Sequence, residues 1–216
     1  DCLESMINFL DSKAGLSFAA ISAYITNEYG RDFYKLERLF HKIGIYDGEL
    51  KPGRWLYCGE FLELSTLKPF DGIYESQALP AGAAMFRKRI IEKVRPIPKF
   101  NFGGEDKHWT LRISNIHKIG VLGNAKLVHE HVASGVRKPK IIQGAISARN
   151  RAIILSDCDP NPSYKRYIVF MLYSLFKNSI NTILIILTFK WNDGWIIGQW
   201  AGWFKNFIKP KRSNNN

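Results

Sequence analysis

Glu105-Asp106, standing just ahead of an apolar recurrence at Trp109, Ile113 and Ile116, is the pair in this sequence whose position most directly suggests chemistry. The spacing predicts a helix of about three turns with both carboxylates in its first turn, preceded by Gly103-Gly104. Unpaired backbone N–H groups and the positive end of the helix dipole meet there and keep a carboxylate ionised. An ionised carboxylate can accept a proton from a hydroxyl; the plain alternative is that the pair only complements the dipole. His129 and His131 form an H-x-H pair, which is a weak metal signal by itself. Cys2, Cys58 and Cys158 lie far apart and form no C-x-x-C pair, so neither a disulfide framework nor a cysteine-rich zinc site is expected, and a reducing compartment fits.

The elements that must position these groups read as an α/β pattern. Leu3, Met6, Ile7 and Leu10 recur at helical spacing, Gly15 marks a stop, and Leu16–Ile25 reads as a buried strand. From Asn27 to Tyr74 the pattern is weak, with Gly, Pro and aromatic residues mixed through it, and predicts an excursion holding short strands or one short helix. Gln77–Phe86 is a small-residue apolar run that reads as a strand, left by a short amphipathic helix over Arg87–Val94. Lys118–Leu122 and Lys126–His129 are two short strand candidates. Beyond Pro139 the sequence predicts helices over Ile141–Ser156, Tyr164–Phe189 and Trp195–Ile208, and then a frayed polar tail over 209–216.

Charge divides the chain unevenly. The total is +12, but residues 137–216 hold 13 basic and 3 acidic side chains, against 18 and 16 before them. Such a basic region points to an anionic partner: nucleic acid, a lipid surface or a diphosphate. Tyr167–Phe176 and Ile180–Phe189, parted by Lys177-Asn178-Ser179, make a borderline membrane span. Amphipathic helices at a bilayer surface, with Trp191, Trp195, Trp200 and Trp203 and the following lysines at the interface, are the preferred reading.

Four blocks occur in order: L-P-A-G-A-A-M-F-R-K-R-I-I-E-K-V (79–94), F-N-F-G-G-E-D-K-H-W-T-L-R-I (100–113), G-V-L-G-N-A-K-L-V-H-E-H-V-A-S-G (120–135) and A-R-N-R (148–151). Together they resemble the second half of family 2 glycosyltransferases, particularly the bacterial rhamnosyl- or galactofuranosyltransferase type. The opening D-C-L-E-S-M-I-N-F-L resembles the helix that follows the metal-binding D-x-D turn in that family.

The resemblance implies an incomplete GT-A, Rossmann-like mixed sheet with flanking helices over 1–138, a basic, aromatic-rich helical extension over 139–208, and a disordered tail over 209–216. It implies an inverting transferase that moves a sugar from a nucleotide-sugar donor to a glycan or lipid-linked acceptor hydroxyl in cell-surface polysaccharide synthesis. Location would be cytoplasmic, peripheral on the inner face of the membrane. Asp106 would be the catalytic base, with Glu105 its acidic neighbour. Trp109 would offer a wall to the acceptor sugar or serve the core. Ala81, Gly82 and Ala83, followed by Ala84, would lie beneath the donor sugar. His129 would help hold a divalent cation, magnesium or manganese, and the diphosphate. Ser134 and Gly135 would belong to a closing loop, while Arg149 and Arg151 would neutralise the leaving diphosphate.

The chain begins at Asp1, without the nucleotide-binding half and D-x-D turn of the family. A segment of roughly ninety residues is expected upstream, for a domain class that exceeds two hundred. Two other functions stay open at this level: a catalytically inactive membrane-associated scaffold, and a basic nucleic-acid-binding protein.

Overall fold

Phe18–Ile25 is apolar at seven of its eight positions and buried at all eight, as a strand covered on both faces must be. It is β1, an inner strand of a four-stranded mixed sheet in a computed structural model that describes residues 1–96, 104–130, 139–159, 163–188 and 194–208. The sheet order is β2-β4-β1-β3, with β2 at Ile73–Ser76, β3 at Ala84–Phe86 and β4 at Lys118–Leu127. β1 and β4 run parallel; β3 and β2 pair antiparallel with β1 and β4 respectively.

The chain divides into two units: Asp1–Leu56 with Phe61–Lys99 and Glu105–Val132, and Tyr57–Glu60 with Phe100–Gly104 and Ala133–Asn216. In the first, α1 (Cys2–Asp11) turns Met6 and Leu10 onto one face of the sheet, against Phe18, Ile21, Ala23, Leu122 and Ala125. The Arg87 guanidinium donates to the Leu10, Gly15 and Phe18 carbonyls, which satisfies backbone groups where α1 has ended and β1 begins. On the other face α3 (Lys88–Lys93) and α4 (Glu105–Ser114) pack Ile90 and Ile113 against Ala20, Tyr24, Ile119 and Val121. The weakly patterned excursion contains α2 (Lys35–Lys42) and the edge strand β2.

Two strand expectations are corrected. The two short candidates after Lys118 are one strand, because the stretch around Gly123 is a bulge: Ala23 pairs with Leu122 but Tyr24 pairs with Lys126. A Cβ on Gly123 would lie 2.1 Å from the Phe70 carbonyl oxygen, so glycine marks a close backbone approach there and not a chain break. Conversely, Gln77–Phe86 is a strand only over Ala84–Phe86, and Ala81–Ala83 form a 3-10 turn. Pro80 has no N–H for a ladder, while Leu79 and Ala81 give theirs to side chains of α4. Ile116, counted into the α4 pattern, falls past the helix end and is exposed.

The second unit carries α5 (Lys140–Cys158), α6 (Tyr164–Leu187) and α7 (Gly194–Ile208), close to the expected spans. Phe189, Trp191 and the 209–216 tail lie outside the described residues. α5 and α7 lie side by side at backbone distance. A Cβ on Gly198 would be 1.9 Å from the Ile141 oxygen, and one on Gly144 2.2 Å from the Trp195 oxygen. Gly198→Ala is therefore expected to cost about 2 kcal/mol by overpacking, read as a lowered urea midpoint.

Candidate functional site

β1 and β4 end together, with Ile25 paired to Leu127. In an open α/β sheet the carboxyl ends of parallel strands are where ligands bind, since the connecting turns there are free to carry polar groups. Asn27 and Glu28 follow β1, and His129 follows β4. The Asn27 side chain grips the His129 backbone from both sides: its Nδ2 donates to the carbonyl at 2.8 Å and its Oδ1 accepts from the N–H at 3.0 Å. The Glu28 carboxylate pairs with His129 Nδ1.

α4 leads into β4 through only Asn115–His117 and packs on it, so the two run in opposite directions. The start of α4, with Glu105 and Asp106, therefore points toward the carboxyl end of β4, at about the level of its middle. β3 runs against β1, with Ala84 opposite Ser22 and Phe86 opposite Ala20, which sends the preceding Ala81–Ala83 turn toward the same end. There the Ala81 N–H donates to Asp106 Oδ2 at 3.1 Å. One helical turn on, Thr110 Oγ1 accepts from the Leu79 N–H at 3.1 Å and donates to the Asp106 carbonyl at 2.6 Å. The Leu79–Ala81 segment is thus stapled to the first turns of α4, and Asp106 is half-buried with Oδ1 not hydrogen-bonded to any described residue.

Burial pushes the Asp106 carboxyl above its usual value of 3.8; the Ala81 N–H opposes this, Glu105 adds to it and Lys107 opposes it. The helix-start argument from sequence expected the opposite balance, and it missed the desolvation that packing imposes. A raised pKa makes a carboxylate a stronger proton acceptor at any pH where it remains ionised.

No protein-family model, curated protein or solved structure matches this chain. What the site can do rests on its own groups.

Of the residues singled out in sequence, the fold brings Asp106, Glu105 and Ala81 to one place, with Gly82 and Ala83 in the same turn; a Cβ on Gly82 would meet nothing within 4 Å. His129 lies past the carboxyl end of β4. Trp109 stacks on Phe86 at 4.4 Å between ring centroids and donates its indole N–H to the Val94 carbonyl, which spends its ring on the core. Arg149 and Arg151 are not brought together. Residues two apart on a helix do not face one another. Arg151 is held by Glu60 and Gln199, whereas Arg149 lines a groove with Lys205. His131, Ser134 and Gly135 lie outside the described residues.

Glu28 and Asn27 were missed from sequence. Their one signal was a polar pair directly after a buried strand that enters a parallel sheet. A carboxylate on one ring nitrogen orients a histidine as it does in many metal sites. Yet among the described residues no three His, Cys, Asp or Glu side chains stand together. Magnesium or manganese takes about six ligands, and His129 with Glu28 offers at most two. The described residues do not by themselves fit a resident cation. A separate cleft of about 490 Å³ beside β2, lined by Lys51–Arg54, Tyr74–Gln77, Ser114 and Ile116–Ile119, contains none of the candidate residues.

Proposed function

We propose that this chain carries the acceptor side of an inverting glycosyltransferase of the GT-A type, akin to family 2, acting on a glycan or lipid-linked acceptor at the cytoplasmic face of a membrane. The observation that carries the reading is the Asp106 carboxylate: half-buried, held through one oxygen by the Ala81 N–H, and set toward the carboxyl end of the parallel strand pair. A mixed sheet with flanking helices and a helical extension is compatible with this reading.

In this reading Asp106 Oδ1 takes the proton of the acceptor hydroxyl as that oxygen forms a bond to the anomeric carbon of a nucleotide-sugar. The bond from that carbon to the diphosphate breaks on the opposite face, and the diphosphate leaves with the electron pair. A single displacement inverts the anomeric centre. The open turn at Ala81–Ala83 suits the approach of a sugar to backbone, since no bulky side chain stands in it. Glu105 and Lys107 tune the base from either side.

The test is a nucleotide-sugar screen of the protein expressed from its own gene, read as released nucleoside diphosphate. Turnover is expected to fall on the acid side at a pH above 3.8, because the raised Asp106 pKa must be exceeded before the base is ionised. Glu105→Gln removes a neighbouring negative charge and is expected to move that limb to lower pH. Turnover whose acid limb does not respond to Glu105→Gln would count against Asp106 as the base; no turnover with any donor would remove the transferase reading.

A further inference from the structure

We infer that one end of the helical unit enters the surface of an anionic bilayer, and that the groove between α5 and α7 behind it takes one chain of a phosphate-headed phospholipid, with Arg149 and Lys205 on the phosphate. Three helix ends meet there. α5 and α7 start side by side, because Ile141 lies against both Gly194 and Gly198. α6 runs opposite to α7: Trp200 Nε1 donates to Thr182 and Trp203 Nε1 to the Met171 carbonyl, so α7 ascends as α6 descends. The last turn of α6 is therefore level with the first turns of α5 and α7.

Ile196 at that level is buried, but several other apolar residues there face solvent. Leu187 is 68% exposed, Ile197 55% and Ile183 54%, and Ile141 and Ile142 are exposed beside them. Large apolar side chains left exposed on three neighbouring helix ends suit an interaction site. Trp195 on the same end supplies an interfacial aromatic. The other half of α6 is mixed: Phe170, Met171, Tyr173, Ser174 and Asn178 are buried and Lys177 is paired with Glu60, while Leu172 and Phe176 are exposed. Tyr164–Leu187 is long and apolar enough to cross a membrane, with mean hydropathy 1.5 in its most apolar window. A full crossing, however, would carry the Glu60 ion cluster into hydrocarbon. Insertion of the apolar end alone avoids that cost.

The groove starts at this end and runs back from it. Ile141, Ile142, Ala145 and Ile146 of α5 and Ala201 and Gly202 of α7 line about 430 Å³, with Arg149 and Lys205 as its two cations. Arg149 makes no hydrogen bond or ion pair with another described residue. From Ile142 to Arg149 is about 10 Å along the helix. The cations thus lie at headgroup depth when the isoleucines lie among acyl chains. Gly144, Gly198 and Gly202 bring the two backbones together and leave a trough floored by small residues. The +10 of residues 137–216 supplies the matching long-range attraction.

The inference deepens the membrane-facing part of the proposed function and rests on it there. Its test uses no donor sugar, so the two fail separately. The whole chain is floated with phosphatidylcholine vesicles, with and without phosphatidylglycerol, at low salt, and lipid carried into detergent is read by native mass spectrometry. Expected are co-flotation only with phosphatidylglycerol and a one-to-one adduct of that lipid. The pair Arg149→Gln and Lys205→Gln should weaken partitioning about thirtyfold. Ala201→Phe, at an exposed position that fills the trough, should remove the adduct while circular dichroism stays unchanged. Equal binding to neutral vesicles, an adduct that survives Ala201→Phe, or displacement by inorganic phosphate would each overturn it. So would self-association that covers the same end without vesicle binding.

Discussion

Under the proposed transferase function, Asp106→Asn is expected to lower sugar transfer by roughly 10²–10⁴-fold, measured as nucleoside diphosphate release by the protein expressed from its own gene. The substitution changes almost no volume, and the amide oxygen can still accept the Ala81 N–H that staples the turn to α4. Fold and substrate binding should therefore persist, with the loss confined to kcat. Near-normal turnover would remove Asp106 from the role of base; a lowered melting temperature with unchanged kcat would assign it to stapling alone.

Glu60→Gln is expected to cost roughly 3–5 kcal/mol of stability, the range for breaking a buried ion pair from one side. The Glu60 side chain is 16% exposed. It accepts from Lys177 Nζ, from Tyr173 OH at 3.1 Å and from Arg151 Nη1 at 3.5 Å. Arg151 also donates to Gln199, whose Nε2 donates to the Gly144 carbonyl, so the carboxylate ties α5, α6 and α7 together. Removing its charge leaves two part-buried cations, Lys177 and Arg151, without that anion.

The pH dependence has a definite sign. Burial alone would raise the Glu60 pKa, but the charges of Lys177 and Arg151, with hydrogen bonds from Lys177 and Tyr173, outweigh it and bring it down from 4.5 to about 2. A depressed carboxyl contributes stability that is present above its unfolded value and is lost as the pH falls toward the folded one. Wild-type protein should therefore lose stability between about pH 4.5 and 2, and Glu60→Gln should lose less over that window, keeping only the part due to other depressed carboxyls such as Asp32. Urea titrations across that window would test both statements.

The acidic start of α4, the buried run of β1 and the three late helices could be read from the chain, because each is written in local periodicity. A buried strand needs apolar residues along its length, and a helix needs them at every third or fourth position. The GxxxG-like spacing of Gly194, Gly198 and Gly202 was equally visible, but its partner was not: only the packed helices reveal that Ile141 and Ala145 press against it. Likewise, Leu79–Ala81 looked like strand because its composition is that of a strand. Its N–H groups are captured by Asp106 and Thr110, about thirty residues further on, and no local pattern encodes that.

Sequence by itself determined the alternation of strand and helix, the uneven distribution of charge and the position of a carboxylate pair at a helix start, all of which depend on neighbours a few residues away. Only the tertiary structure decided that Asp106 is desolvated, that Glu28 and Asn27 hold His129, that Arg151 is neutralised by Glu60 while Arg149 is not, and that three apolar helix ends share one level. Those outcomes are set by contacts between residues up to about a hundred positions apart. Burial, charge pairing and exposure are properties of the packed chain, and in each case they fixed what the same side chain can do.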